Sequence, residues 1–205
     1  MTTEKQTRTQ IKRAAIIEAA RTTFKELGVA ATSMDKLAEV AGVSKRTVYN
    51  HFATKEALVI TLMTDLWQQS LSQHVLVYST HQPLAKQLLQ LVLHEIEFMQ
   101  SKEHIELARM AIGHLFYAAD MQEELLRVVK QETNILRWIK AATHDNRLMI
   151  TDTELAQEQI HSLIKGQCFW PYVFQLADPL DNSQKQHIAA EVVEMFLCRY
   201  QKNDD

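Results

Sequence analysis

T-S-M-D-K-L-A-E-V-A-G-V-S-K-R-T-V-Y-N-H-F-A-T-K-E, residues 32–56, is the stretch whose reading decides the fold. It parses as two short helices joined by one sharp turn, followed by the start of a longer third. Thr32 with Asp35 forms a capping-box pattern: a hydroxyl covers orphan N–H groups, and an acid sits near the positive helix end. Leu37 and Ala41 lie four apart on one face, and Gly42 stops the helix where a positive φ is cheapest. Val43 then fills the space between the helices, Ser44 caps the next one, and Val48 and Phe52 turn inward. Thr54 caps the following helix, with Lys55 and Glu56 in its first turn.

Rotating the second helix by about 100° per residue fixes what it shows to solvent. With Val48 and Phe52 buried, Arg46, Thr47 and Asn50 point most directly outward, flanked by Lys45, Tyr49 and His51. These side chains match a DNA major groove. Arg and Lys donate to guanine, Asn pairs with adenine in two hydrogen bonds, and Thr and Tyr touch the thymine methyl. An isolated basic helix fits a solvated surface equally well. The two caps, the glycine turn and the polar outer face within one compact unit favour a helix-turn-helix.

At this point a resemblance becomes specific. A-G-V-S-K-R-T-V-Y-N-H-F-A-T-K-E-A-L, residues 41–58, resembles the signature of the TetR/AcrR family of bacterial transcriptional repressors. The likeness runs from Ile11 to about Leu62, and residues 109–176 are similar to the C-terminal domain of the AefR-like branch. The resemblance implies an all-α homodimer. Its N-terminal three-helix domain would bind a double-stranded DNA operator, and its larger C-terminal domain would bind a small-molecule effector and dimerise. Carried over by motif position, Lys45, Arg46, Tyr49 and Asn50 read bases, while Thr32, Ser33, Thr47, His51 and Lys55 hold phosphates. Where the family often has Gly before the Thr of this helix, the chain has Arg46, which bears on operator preference.

Composition agrees. At 205 residues the chain has room for one or two small domains with a buried core. Only four Gly and three Pro, with 46% hydrophobic residues, favour packed helices over sheets or disorder. The net charge of −3 conceals a split: residues 1–60 carry ten Lys and Arg against six Asp and Glu, and the remainder twelve against nineteen. A basic head on an acidic body suits a protein that meets phosphate with one end. No charged-then-apolar leader begins the sequence, and no apolar run reaches the ~18 residues of a membrane span. Cys168 and Cys198, two well-separated thiols, fit a reducing cytoplasm.

About nine helices are expected, with a helix-turn-helix domain over residues 1–54 and a ligand-binding and dimerisation domain over 55–205. A polar arm precedes a helix from about Thr9 to Leu27, closed by Gly28. Phe24, Leu37, Val48 and Phe52 should form the head core. A long helix should run from Lys55 to about Thr80 and link head to body. Helices follow at about 83–100, 103–114, 121–143, 152–176 and 183–200, the last with Ile188, Val192, Met195 and Phe196 inward. Pro171 should kink or interrupt the penultimate one. Phe169, Trp170, Tyr172, Phe174 and Phe196 make these last two helices the candidate dimer interface.

The resemblance also implies an effector pocket in the body. Polar residues on otherwise apolar stripes mark candidates, because burying them unpaired is costly. These are Glu95, His114, Glu132 and Gln167, with Trp67, Phe98, Phe116 and Tyr117 as walls. Each also fits a satisfied core group. A di-metal bundle enzyme would need a Glu-x-x-His motif on each of two helices, and only Glu158-x-x-His161 occurs. Zinc spacing, G-x-S-x-G and phosphate loops are absent, so neither cofactor nor catalysis is expected. A DNA-binding activator or a ligand-insensitive regulator fits the same residues.

Overall fold

The computed structural model describes residues 7–73, 77–115 and 132–202. Among them are ten helices and no strand: α1 (Arg8–Leu27), α2 (Met34–Val40), α3 (Lys45–His51), α4 (Lys55–Gln73), α5 (Leu84–Met99), α6 (Lys102–Leu115), α7 (Asn134–His144), α8 (Thr153–Cys168), α9 (Trp170–Val173) and α10 (Asn182–Tyr200). They pack as two units. The head holds residues 7–66 and 106–115, and the body holds 67–105 and 132–202. The sequence boundary stood at residue 54, but Leu58, Val59, Ile60 and Leu62 of α4 are buried in the head cluster, as are Leu107 and Ala111 of α6.

The head is built from strong local signals. Thr7 and Gln10 form a reciprocal capping box that starts α1. Gly28 ends it at φ 75, with its N–H on the Phe24 carbonyl. At the end of α2, the Gly42 N–H bonds the Glu39 carbonyl and the Val43 N–H bonds that of Ala38. That is a Schellman ending, and it places Gly42 at φ 64. Val43 packs on the head cluster, where Phe24, Leu37, Val48 and Phe52 meet Ile16 and Ala20 as expected. One detail differs. Ser33, not Thr32, caps α2, accepting from the Lys36 N–H; the Thr32 hydroxyl is buried and donates to the Gly28 carbonyl.

In the body, apolar faces of α5, α7, α8 and α10 close on one cluster around Leu88, Ile96, Ile139, Ile160 and Ile164. Four expectations are corrected here. The long helix does not reach Thr80: residues 77–79 are irregular. Their backbone is held from afar. The buried Gln87 amide bonds both the N–H and the carbonyl of Ser79 and also the Gln82 carbonyl, and the Arg147 guanidinium donates to the carbonyls of Ser79, Thr80 and Gln82. These bonds replace those a helix would make.

The helix expected over 121–143 is interrupted. Glu132 and Thr133 are non-helical, and the Thr133 hydroxyl accepts from the Leu136 N–H to start α7 afresh. The part before residue 132 lies outside the described residues. The helix expected to reach Leu176 stops at Cys168, because Pro171 has no N–H to continue the ladder. The Gln100 amide takes the Cys168 carbonyl instead, and α9 begins at Trp170. Finally, Met195 is 56% exposed rather than inward; Ala189, Val192, Val193, Phe196 and Leu197 bury the inner face of α10.

Candidate nucleic-acid interface and effector cavity

α3 is anchored by the one buried side chain of Val48, with Thr47 and His51 half-buried and Lys45, Arg46, Tyr49 and Asn50 exposed. Val48 is fully buried, and the Phe52 N–H closes the last turn on the Val48 carbonyl. Ser44 caps the start, accepting from the Thr47 N–H at 3.1 Å. With the helix so fixed, Arg46, Tyr49 and Asn50 stand on its exposed face, Tyr49 at 46%. Lys45 is exposed too, but its ammonium meets the Asp35 carboxylate of α2 at 2.8 Å. The hydrogen bond to Asp35 and then its charge hold the Lys45 pKa above the ordinary lysine value. Lys45 also lies 6.0 Å from the centre of the Tyr49 ring. The cations, amide and phenol expected to read bases therefore share one short stretch of helix.

The expected phosphate contacts are more dispersed. Ser33 is exposed with its oxygen committed to capping α2. The half-buried Thr47 hydroxyl pairs with that of Ser44 at 2.8 Å. His51 is half-buried, its ring 6.5 Å from that of Phe52. Two residues are placed differently from the sequence reading. Thr32 is buried, so its hydroxyl serves the α1–α2 corner and not solvent. Lys55 bends back to donate to the carbonyls of Val29 at 3.0 Å and Ala30 at 3.4 Å, so its ammonium ties α4 to the same corner.

Within the body, Trp67 and Glu95 line one small cavity together with Leu91, Asn134 and Ile135, as the sequence suggested for the first two. Phe98 meets Trp67 edge-to-face at 5.6 Å. Other expected members lie elsewhere. Glu132 is exposed and pairs with Lys140 at 3.3 Å; Gln167 is exposed on α8 with its amide toward the Leu163 carbonyl. Glu132 precedes α7 and so belongs to no helical stripe, and Gln167 falls on the exposed side of α8. Phe116, Tyr117 and the side chain of His114 lie outside the described residues.

Two residues absent from the sequence reading of the pocket stand next to its expected members. His161 Nε2 on α8 sits 3.9 Å from Glu95 Oε1, and the His104 ring on α6 lies 4.4 Å from that of Phe98. The signal was present: His161 falls three before Ile164 and seven before Cys168, and His104 falls three before Leu107, on inward stripes. Burial pushes the Glu95 carboxyl up to about 7 and lowers both His104 and His161 to about 4. A charge from Lys165 acts in the lowering direction on all three.

Among the described residues no three His, Cys, Asp or Glu side chains converge as metal ligands, and no helix is long and apolar enough to cross a membrane.

Comparison with known proteins agrees with this geometry. Residues 16–62 match the model of bacterial regulatory proteins of the tetR family, and residues 86–202 match the AefR-like transcriptional repressor C-terminal domain. A TetR family transcriptional regulator from Pseudomonas syringae has a similar solved structure, with a TM-score of 0.73 at 33% identity over 94% of this chain and 97% of that one. RutR of Escherichia coli is 41% identical over 59 residues, which are 27% of this chain and 28% of RutR. The uncharacterized regulator YhgD of Bacillus subtilis is 26% identical over 138 residues, 63% of this chain and 66% of YhgD. The matches thus cover less than two thirds of either curated relative.

Proposed function

Given that the chain belongs to the TetR family of DNA-binding transcriptional regulators, which are not enzymes, we propose that it is a cytoplasmic, homodimeric repressor released from its operator by a small molecule. The observation that carries the DNA half of this reading is the exposed face of α3, with Lys45, Arg46, Tyr49 and Asn50 on a helix pinned by Val48. In the major groove Arg46 donates to guanine and Asn50 pairs with adenine, while Tyr49 offers its ring to a thymine methyl and its hydroxyl to phosphate. Thr47, Ser33 and His51 border the backbone. Lys55 contributes charge near the phosphates while holding the α1–α2 corner.

One such helix makes few contacts, and a two-fold dimer doubles them on two half-sites. The dimer face in this reading is that of α8, α9 and α10. Met195 and Leu155 are exposed on α10 and α8, beside a groove of about 370 Å³ bordered by Leu163, Phe196 and Tyr200. Trp170 and Phe174 of α9 and its following turn are 42% and 59% exposed, with stacked rings 5.9 Å apart. Exposed aromatic and methionine surface of this kind is typical of buried oligomer interfaces.

The effector acts by population shift, preferring the form that binds DNA weakly by about 1–3 kcal/mol. α4 carries both ends of the argument, beginning at Lys55 and reaching Trp67 at the cavity. The test is a mobility-shift titration of the purified protein on DNA upstream of its own coding sequence, across a salt series. Sequence-selective binding by two protomers, with a steep salt slope, is the expected result. Equal affinity for random DNA would refute the base-reading role of α3.

A further inference from the structure

Four helices of the body each contribute one buried polar atom without a hydrogen-bond partner: Trp67 Nε1 from α4, Glu95 Oε1 from α5, His104 Nδ1 from α6 and His161 Nε2 from α8. They are neighbours. Trp67 and Glu95 line the same cavity, His161 stands behind Glu95, and Phe98 links the Trp67 and His104 rings. Of the five such atoms among the described residues, only the Thr143 hydroxyl lies apart from this group. Orphaned buried groups each carry a desolvation penalty, and well-packed cores keep them few. A cluster drawn from four helices, with Trp67 and Glu95 lining one cavity and the two imidazoles behind them, is the pattern of a site whose hydrogen bonds are completed by something that comes and goes.

The chemistry of that guest follows from the donors and acceptors. The carboxylate of Glu95 faces the cavity without a cation in contact, since Lys165 acts on it only through its charge and forms no close pair. The rest of the lining is mixed: Leu71, Leu91, Ile135 and the Trp67 indole are apolar, with Phe98 packed edge-on to Trp67, while Ser70, His94 and Asn134 are polar and already hydrogen-bonded, Ser70 to His94 at 3.1 Å and Asn134 to the Leu71 carbonyl at 3.3 Å. An ammonium would give Glu95 both a counter-charge and an N–H donor, and aromatic walls favour a cation over an anion. The cavity itself is about 10 Å³, room for about one water. A larger guest therefore has to part α4, α5 and α7, so that binding and helix displacement are one event.

Resting on the reading of the body as an effector site, we propose that this cavity opens to bind a protonated amine on an apolar, aromatic body, with the ammonium donating to the Glu95 carboxylate and the body packing on Trp67. Other titratable groups near Glu95 are His94 on its own helix, His161 and Lys165 on α8, and His104 on α6. Burial keeps the two imidazoles of His104 and His161 neutral near pH 7, so they offer hydrogen bonds without competing as cations. Glu95, pushed up to about 7, ionises fully when the ammonium arrives and releases a proton.

The test uses three molecules of matched shape on the full chain without DNA: phenylbutylamine, phenylbutanol and phenylbutyrate. Isothermal titration at about pH 8 should show the amine binding at least ~10-fold tighter than either of the others, as expected for a buried charge-assisted hydrogen bond. In Glu95→Gln, which keeps the shape and removes the charge, that preference should shrink to within about twofold. Between about pH 8 and pH 6 the amine should weaken on the native chain and stay level on Glu95→Gln, which separates Glu95 from His94. Three results overturn the proposal: phenylbutyrate binding as well as the amine, an undiminished preference in Glu95→Gln, or no binding of any of the three. The regulator reading is judged separately. If Glu95→Gln still shifts the operator while one of those results holds, the DNA-binding role stands and only the amine site falls.

Discussion

Buried polar groups are handled differently in the two units of this molecule. In the head, the two buried hydroxyls, those of Thr23 and Thr32, each donate to a backbone carbonyl, at 2.6 and 2.8 Å. In the body, two buried polar side chains, Gln87 and Thr133, are likewise satisfied, while every orphaned buried polar atom among the described residues also lies there. The difference teaches where each unit keeps its function. The head binds its partner with its outside, so its interior can be finished as pure structure. On the proposed reading the body receives its partner inside, and the orphaned atoms lie there.

The sharpest contrast is within the body, between Gln87 and Glu95. Gln87 accepts from the Ser79 N–H and the Trp138 indole N–H, and donates to two carbonyls. Gln87→Leu leaves those four groups without it and should cost about 3–5 kcal/mol in urea unfolding. Glu95→Gln removes a buried unpaired charge and should leave stability unchanged or raise it. A similar loss in both variants would show that Glu95 is a structural group like Gln87, and the division drawn above would fail.

The head makes the opposite wager, that its function can be altered without touching its fold. Arg46→Ala should cost about 1–3 kcal/mol of operator affinity at one base pair and relax specificity there, leaving the melting curve in place. Selected-site sequencing on both forms measures this. An unchanged consensus would remove Arg46 from the reading surface.

Acid should find the body first. In the unfolded chain the two imidazoles of His104 and His161 titrate near 6.5, but folded they resist protonation until about 4. Between those values the unfolded state binds more protons, so stability is lost as pH falls from 6.5 toward 4. Glu95 works in the opposite sense: its folded carboxyl takes up a proton near 7, well before an unfolded one does at about 4.5, so acidification favours the folded form there. Two groups outweigh one, and the net loss from about pH 7 to pH 5 should be roughly 1–2 kcal/mol. Glu95→Gln, lacking the opposing contribution, should lose more over the same range. Equal slopes for the two proteins would mean that Glu95 does not titrate as its burial dictates.

How legible each unit is in the sequence follows from the same contrast. Head signals are local: Ser44, Gly42 and the Val48–Phe52 spacing specify α3 within eleven residues, and the structure keeps all of them. The errors there are between neighbours. Nothing in the letters T-S says that Thr32 turns inward and Ser33 caps, because both hydroxyls can do either. Body signals are non-local. The irregular backbone at residues 77–79 is held by Gln87 and Arg147, the latter almost seventy residues away, which no window of sequence displays. His161 enters the sequence reading only through the lone Glu158-x-x-His161 pattern, which is set aside, while its place on the Ile164–Cys168 stripe puts it inside.

The smallest expected effect concerns the ion pair between Lys45 and Asp35 beside the proposed reading face. Lys45 is held by Asp35, so to reach a base it must leave a carboxylate for guanine or phosphate. Both partners are solvent-exposed, and exposed pairs of this sort are weak. Asp35→Asn should therefore raise affinity for operator and random DNA together by no more than about two- to threefold, mostly at low salt where exposed charges act at longer range. A gain confined to the operator would instead mean that Asp35 aims Lys45 at a base, making it part of how sequence is read. In that outcome the head, too, would carry a group whose hydrogen bond is completed only by the partner, and the contrast between the two units would narrow to one of position: outside for the head, inside for the body.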